Sequence, residues 1–139
     1  MNKTRQSEYF NKVKMDHQSE LVEDYVEEIA ALFTQNKEVR STDLAQRFGV
    51  SAAAVSKMVR RLNEQGLVTS LPYRGIFLTE AGQELAEKVA YRHQVVLKTL
   101  RKLGVPEAIA QADTEGIEHH CSEETVQAMC AFLEKTSEQ

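Results

Sequence analysis

The chain has 139 residues, of which 42% are hydrophobic and 27% charged, with a net charge of −4 and two cysteines. That length suits one compact domain or two small ones sharing a core. No apolar run approaches the roughly 20 residues that cross a membrane, and Met1-Asn2-Lys3-Thr4-Arg5-Gln6 is not followed by the apolar segment of a secretory leader. The expectation is therefore a cytoplasmic protein with reduced thiols. Cys121 and Cys130 are nine positions apart, which on one helix places them on opposite faces.

An acidic average argues against a nucleic-acid binder, but the charge is unevenly spread. Residues 1–16 carry +2, residues 17–36 carry −5, residues 37–74 carry +4 and residues 75–139 carry −5. A basic middle between acidic flanks lets one surface approach phosphates while another collects cations.

Residues 1–16 are polar and weakly periodic, which predicts an N-terminal arm, mobile or with a short extra turn. A helix is expected from near His17 to about Gln35, with Leu21, Tyr25, Ile29, Leu32 and Phe33 as its apolar stripe. Asp24 and Glu27 stand three apart beside that stripe, whereas Glu20, Glu23 and Glu28 read as solvent-facing.

Ser41-Thr42-Asp43 offers helix-start chemistry, residues 43–48 make a short helix, and Gly49 supplies a turn. Ser51 then caps a second helix that buries Val55, Met58, Val59 and Leu62. Ala45, Gly49 and Val55 have the spacing of a helix-turn-helix: a small residue at the crossing, a turn residue tolerant of positive φ, and a branched anchor. The face left over holds Ala52, Ala53, Ser56, Lys57 and Arg60, small enough at its start to approach base edges and basic enough further on to reach phosphates. Residues 67–71 and 76–78 read as two strands around the turn Pro72-Tyr73-Arg74-Gly75, a wing with Arg74 at its tip. A winged helix that binds protein instead of DNA has the same signature.

From Thr79 a long helix runs to about Leu103, with Leu85, Val89, His93, Val96, Leu100 and Leu103 in one row. A histidine in such a row is either a satisfied core residue or a buried nitrogen ligand. Gly104 ends that helix, Pro106 opens the next, and Ser122 caps a last helix that turns Val126, Met129, Cys130 and Leu133 inward. These stripes predict a helical dimerisation layer. Within it, Glu115, Glu118 and His119 share one helical face as a chelating triplet, although a solvated acidic face has the same pattern. The expected fold is mainly α with a small β-hairpin: an arm at 1–16, a winged helix-turn-helix domain at 17–78 and an α-helical metal-binding and dimerisation domain at 79–139.

Five blocks in order carry a resemblance: Asp24-Tyr25-Val26-Glu27, residues 55–62 (Val-Ser-Lys-Met-Val-Arg-Arg-Leu), residues 73–79 (Tyr-Arg-Gly-Ile-Phe-Leu-Thr), Tyr91-Arg92-His93, and residues 115–120 (Glu-Gly-Ile-Glu-His-His). With these, nearly everything from about residue 17 onward resembles the manganese-responsive branch of the diphtheria-toxin-repressor-like family of metal-dependent transcriptional regulators. The resemblance implies that Asp24, Glu27, His93, Glu115, Glu118 and His119 hold two Mn²⁺ ions per subunit, with Glu27 and Glu118 bridging and His120 structural. Fe²⁺, Co²⁺, Cd²⁺ or Zn²⁺ would substitute. It also implies a homodimer on double-stranded operator DNA, contacted by Ser51, Ala52, Ala53, Ser56, Lys57, Arg60 and Arg74, with no membrane and no organic substrate.

Four carboxylates and two imidazoles suit a hard divalent ion. In the resemblance, iron-responsive relatives place sulfur-bearing residues where this chain has Asp24 and Glu115, and the further carboxy-terminal domain of many relatives is not expected in a sequence that reads to Gln139. The competing readings are a winged-helix regulator answering to iron or to a non-metal effector, and a di-metal bundle enzyme. The enzyme draws paired Glu-x-x-His motifs from two helices, and the chain reads Glu-x-x-Glu-His instead.

Overall fold

The structure is a computed structural model that describes residues 3–71 and 74–137. Among these, six α-helices and one hairpin follow in the order α1 (Lys3–Asn36), α2 (Ser41–Phe48), α3 (Ala52–Glu64), β1 (Val68–Leu71), β2 (Gly75–Leu78), α4 (Glu80–Lys102), α5 (Glu107–His120) and α6 (Glu123–Ser137). No helix among them is long and apolar enough to cross a membrane. The chain divides into two compact units, one of Leu21–Glu87 and one of Met1–Glu20 with Lys88–Gln139, so the divide falls inside α1 and α4.

Helix α1 corrects the expectation of a start near His17, because residues 3–16 are helical and continuous with it. The segment has no proline or glycine to stop a helix, and its weak apolar periodicity concealed the fact. The stripe is also shifted. Val22, Tyr25, Val26, Ile29 and Leu32 are buried while Phe33 is 42% exposed, because it opens on a hollow shared with Ala30, Thr34, Phe77 and Gln83.

In the Leu21–Glu87 unit these side chains meet Leu44, Val55, Val59, Leu62, Val68 and Ile76 in one core. Tyr25 stacks on Phe48 with ring centroids 4.5 Å apart; burial raises its phenol pKa. Helix α2 begins two residues before the predicted position, with Arg40 as its cap residue. The Asp43 carboxylate accepts the Arg40 backbone N–H at 2.9 Å, which satisfies one of the orphan donors at the helix start. Gly49 closes α2 at φ 64, a left-handed conformation that favours glycine.

Strands β1 and β2 pair antiparallel, Val68 opposite Leu78 and Leu71 opposite Gly75. Pro72 and Tyr73 of the turn lie outside the described residues. The Ile76 N–H donates to the Val39 carbonyl at 2.8 Å, tying the hairpin to the α1–α2 connection. Gly82 sits in the first turn of α4, where an added Cβ would stand 2.0 Å from the Leu67 carbonyl oxygen. Gly82→Ala is therefore expected to destabilise the protein by about 3 kcal/mol, the cost of forcing two backbones apart, seen as a lowered urea midpoint.

In the other unit, Val89, Val95, Val96, Leu97, Ala110 and Val126 are buried. Thr99 and Thr114 are buried too; their hydroxyls donate to the carbonyls of Val95 and Ala110 one turn earlier. Leu103, expected inward, is 64% exposed. It lies beyond the last residue of α4, where the chain turns through Gly104 at φ 91. Arg101 at the end of α4 grips Glu107 at the start of α5; with Gln111 it holds that carboxyl well below the usual range, at about 2. Cys121 is the residue that ends α5, and Cys130 is in α6, so the single-helix argument about the two thiols does not apply. Both are free. Burial raises the Cys121 thiol pKa, and Cys130 Sγ lies 3.1 Å from the Tyr91 hydroxyl.

Candidate metal centre and nucleic-acid interface

Helices α4 and α5 build the acidic centre. Glu118, four residues on from Thr114 on the buried side of α5, is fully buried, and an isolated carboxylate there would cost several kcal/mol. His93 on α4 answers it, with Nδ1 2.6 Å from Glu118 Oε2. His119 approaches from the same helix, with Nε2 3.2 Å from Glu118 Oε1.

Glu115, one turn before Glu118, is 59% exposed and reaches His93 Nδ1 at 3.7 Å. His93, Glu115 and Glu118 offer ligand atoms within 4.8 Å of one another, a group able to hold a metal ion. His93 thus joins Glu115 and Glu118 of the triplet read from spacing, while His119 lies against Glu118 on its other oxygen. Seen along α5, Glu118 and His119 are both buried because they straddle its inward face.

His119 has a different neighbour that the sequence reading set aside as solvent-facing. Glu20 on α1 and His119 offer ligand atoms within 4.8 Å of each other, and a Glu20 oxygen is 3.1 Å from His120 Nε2. Glu20 stands one turn before Asp24 on α1, and that i, i+4 spacing was the signal available in the sequence. Glu28 is also not merely solvated: it pairs with Arg47 on α2. Asp24 and Glu27 are half-buried along α1, one and nearly two turns past Glu20. An environment of carboxylates and imidazoles with a buried oxygen donor fits a hard or borderline divalent cation.

The second candidate site lies on α3 and the hairpin. Ser51 is the N-cap of α3, its hydroxyl accepting the Ala54 N–H at 3.1 Å. Val55, Val59 and Leu62 are buried, and Ala52, Ala53, Ser56, Lys57 and Arg60 are all exposed on the opposite side. Two turns of helix therefore present small residues first and cations after, in the order that groove entry requires. Arg74 is exposed where the hairpin turns, its N–H donating to the Leu71 carbonyl at 3.1 Å.

Comparisons with known proteins bear on both sites. Residues 17–76 match the family described as iron dependent repressor, N-terminal DNA binding domain, and residues 79–139 match iron dependent repressor, metal binding and dimerisation domain. The chain is 44% identical to the transcriptional regulator MntR of Escherichia coli O157:H7 over 135 residues, covering 97% of this chain and 87% of that one. It is likewise 44% identical to the MntR of Salmonella typhimurium, over 92% of this chain and 82% of the relative. Among solved structures, the manganese regulator SloR superposes with a TM-score of 0.71 at 30% identity, covering 81% of this chain and 53% of that one. A manganese-dependent transcriptional repressor in complex with manganese gives 0.69 at 30% identity, over 81% and 52%. The chain thus spans about half the length of these structural relatives.

Proposed function

The chain belongs to the iron-dependent repressor family, on its manganese-regulator branch, and from that membership we propose that it is a manganese-dependent transcriptional repressor, not an enzyme. It acts as a homodimer in the cytoplasm, binding double-stranded operator DNA of manganese transport genes when a binuclear Mn²⁺ site is filled. Residues 17–78 form the DNA-binding domain and residues 79–139 the metal-binding and dimerisation domain, with residues 1–16 preceding them. Asp24, Glu27, His93, Glu115, Glu118 and His119 are the metal ligands, Glu27 and Glu118 bridging, and Fe²⁺, Co²⁺, Cd²⁺ or Zn²⁺ substitutes for Mn²⁺. Ser51, Ala52, Ala53, Ser56, Lys57, Arg60 and Arg74 meet the DNA.

The observation that carries this reading is the buried Glu118 carboxylate between the imidazoles of His93 and His119. Bound divalent ions would supply positive charge to Asp24, Glu27, Glu115 and Glu118, which carry like charge when ionised. Asp24 and Glu27 belong to the same helix that enters the core beneath the reading helix. Metal held jointly by these residues and by the ligands on α4 and α5 would fix the DNA-binding domains in one orientation. Two α3 helices held about 34 Å apart, one DNA turn, then read a two-fold operator without a further ordering cost.

Operator binding measured with and without Mn²⁺ tests this, at one stated salt concentration. Mn²⁺ is expected to tighten binding about 5- to 150-fold, the usual span of such couplings. Glu115→Ala, at an exposed position that the fold does not need, is expected to lose most of that gain. Equal affinity with and without Mn²⁺ overturns the reading.

A further inference from the structure

We infer that Glu20 is an additional carboxylate of the metal centre and a determinant of its preference for Mn²⁺ over Zn²⁺; this rests on the metal-dependent reading above. Three observations within one unit carry it. Glu20 and His119 present ligand atoms within 4.8 Å of each other. The His119 side chain is 1% exposed and lies 3.2 Å from the buried Glu118, so an ion reached by His119 has side-chain oxygens close at hand to complete its coordination. Finally, His120 Nε2 lies 3.1 Å from Glu20 Oε2, so the carboxylate is held in place beside the His119 ring. A ligand held by such a partner loses less freedom on binding than a solvated glutamate does.

The consequence for selectivity follows from coordination preferences. Zn²⁺ is content with four ligands in a tetrahedron and favours nitrogen and sulfur. Mn²⁺ is hard and takes six, mostly oxygen. An extra oxygen donor at the rim of the histidine side therefore adds more to Mn²⁺ than to Zn²⁺. The Irving–Williams order runs against manganese at any mixed nitrogen and oxygen site, so a device of this kind is what the site needs.

The test is Glu20→Gln beside native protein and Glu118→Gln, with Mn²⁺ binding followed by loss of the free-ion electron paramagnetic resonance signal and Zn²⁺ binding by competition with a chelating dye. Glu20→Gln keeps the side chain's size and its acceptor for His120 but removes the charge. We expect Mn²⁺ affinity to fall about tenfold, Zn²⁺ affinity to fall much less, and the circular dichroism spectrum to stay unchanged. Unaltered Mn²⁺ affinity, or equal losses for both ions, overturns the role of Glu20 while a large loss in Glu118→Gln keeps the metal centre itself. A native protein that binds no Mn²⁺ overturns both.

Discussion

Replacing Glu118 by alanine is expected to abolish Mn²⁺-dependent operator binding and to destabilise the metal-free protein as well. This side chain is fully buried; one oxygen is hydrogen-bonded with His93 at 2.6 Å and the other lies 3.2 Å from His119 Nε2. Removing it leaves a hole in the α4–α5 packing and two imidazoles facing it, a loss of about 3 kcal/mol by the usual cost of breaking a buried polar pair. Metal affinity should fall by more than about 100-fold, the upper range for groups that only support a ligand. Glu118→Gln separates the two effects, since it fills the same volume. It should retain most of the thermal stability and lose the metal response. Thermal melts of the metal-free variants and operator titrations with Mn²⁺ read the two quantities independently. A Glu118→Gln protein that still tightens on its operator with Mn²⁺ would remove Glu118 from the ligand set.

The winged helix was legible in the sequence because its signals are local. Ser51 at a helix start, Gly49 in a tight turn, and Val55, Val59 and Leu62 three and four apart each report on a short stretch of backbone, and each occupies the expected place. The ends of elements were less legible. Residues 3–16 have no breaker and no strong stripe, so nothing local marked them as helix, and Phe33 and Leu103 fit an ideal 3.6-residue row that the core does not follow to its edge. For the metal centre, spacing along α5 brought out Glu115, Glu118 and His119, but only folding could show that His93, 25 positions from Glu118, closes on that carboxylate. Glu20 was missed for the same reason. Its partner His120 is 100 positions away, and its i, i+4 spacing to Asp24 is matched by that of Glu23 to Glu27, so the local signal did not single it out.

Lys57→Ala combined with Arg60→Ala is expected to reduce operator affinity by about 100-fold or more while leaving metal binding unchanged. Both side chains are exposed on α3, on the side away from Val55 and Val59, so their removal opens no cavity and the helix keeps its Ser51 cap. The two single variants should differ in kind. A lysine that meets only phosphate weakens all sequences alike, and its loss reduces the salt slope of log K by about 1. An arginine that reaches the O6 and N7 acceptors of guanine contributes about 1–3 kcal/mol of discrimination, so its loss relaxes sequence preference as well as affinity. Arg60 lies two turns into the helix, following Ser56 and Lys57, and Ala52 and Ala53 before them leave room for close approach. Salt-dependent titrations of each variant on operator and on unrelated duplex separate the two roles. If the double variant holds its operator as tightly as the native protein, this face is not the reading surface, and the basic character of residues 37–74 must serve something else.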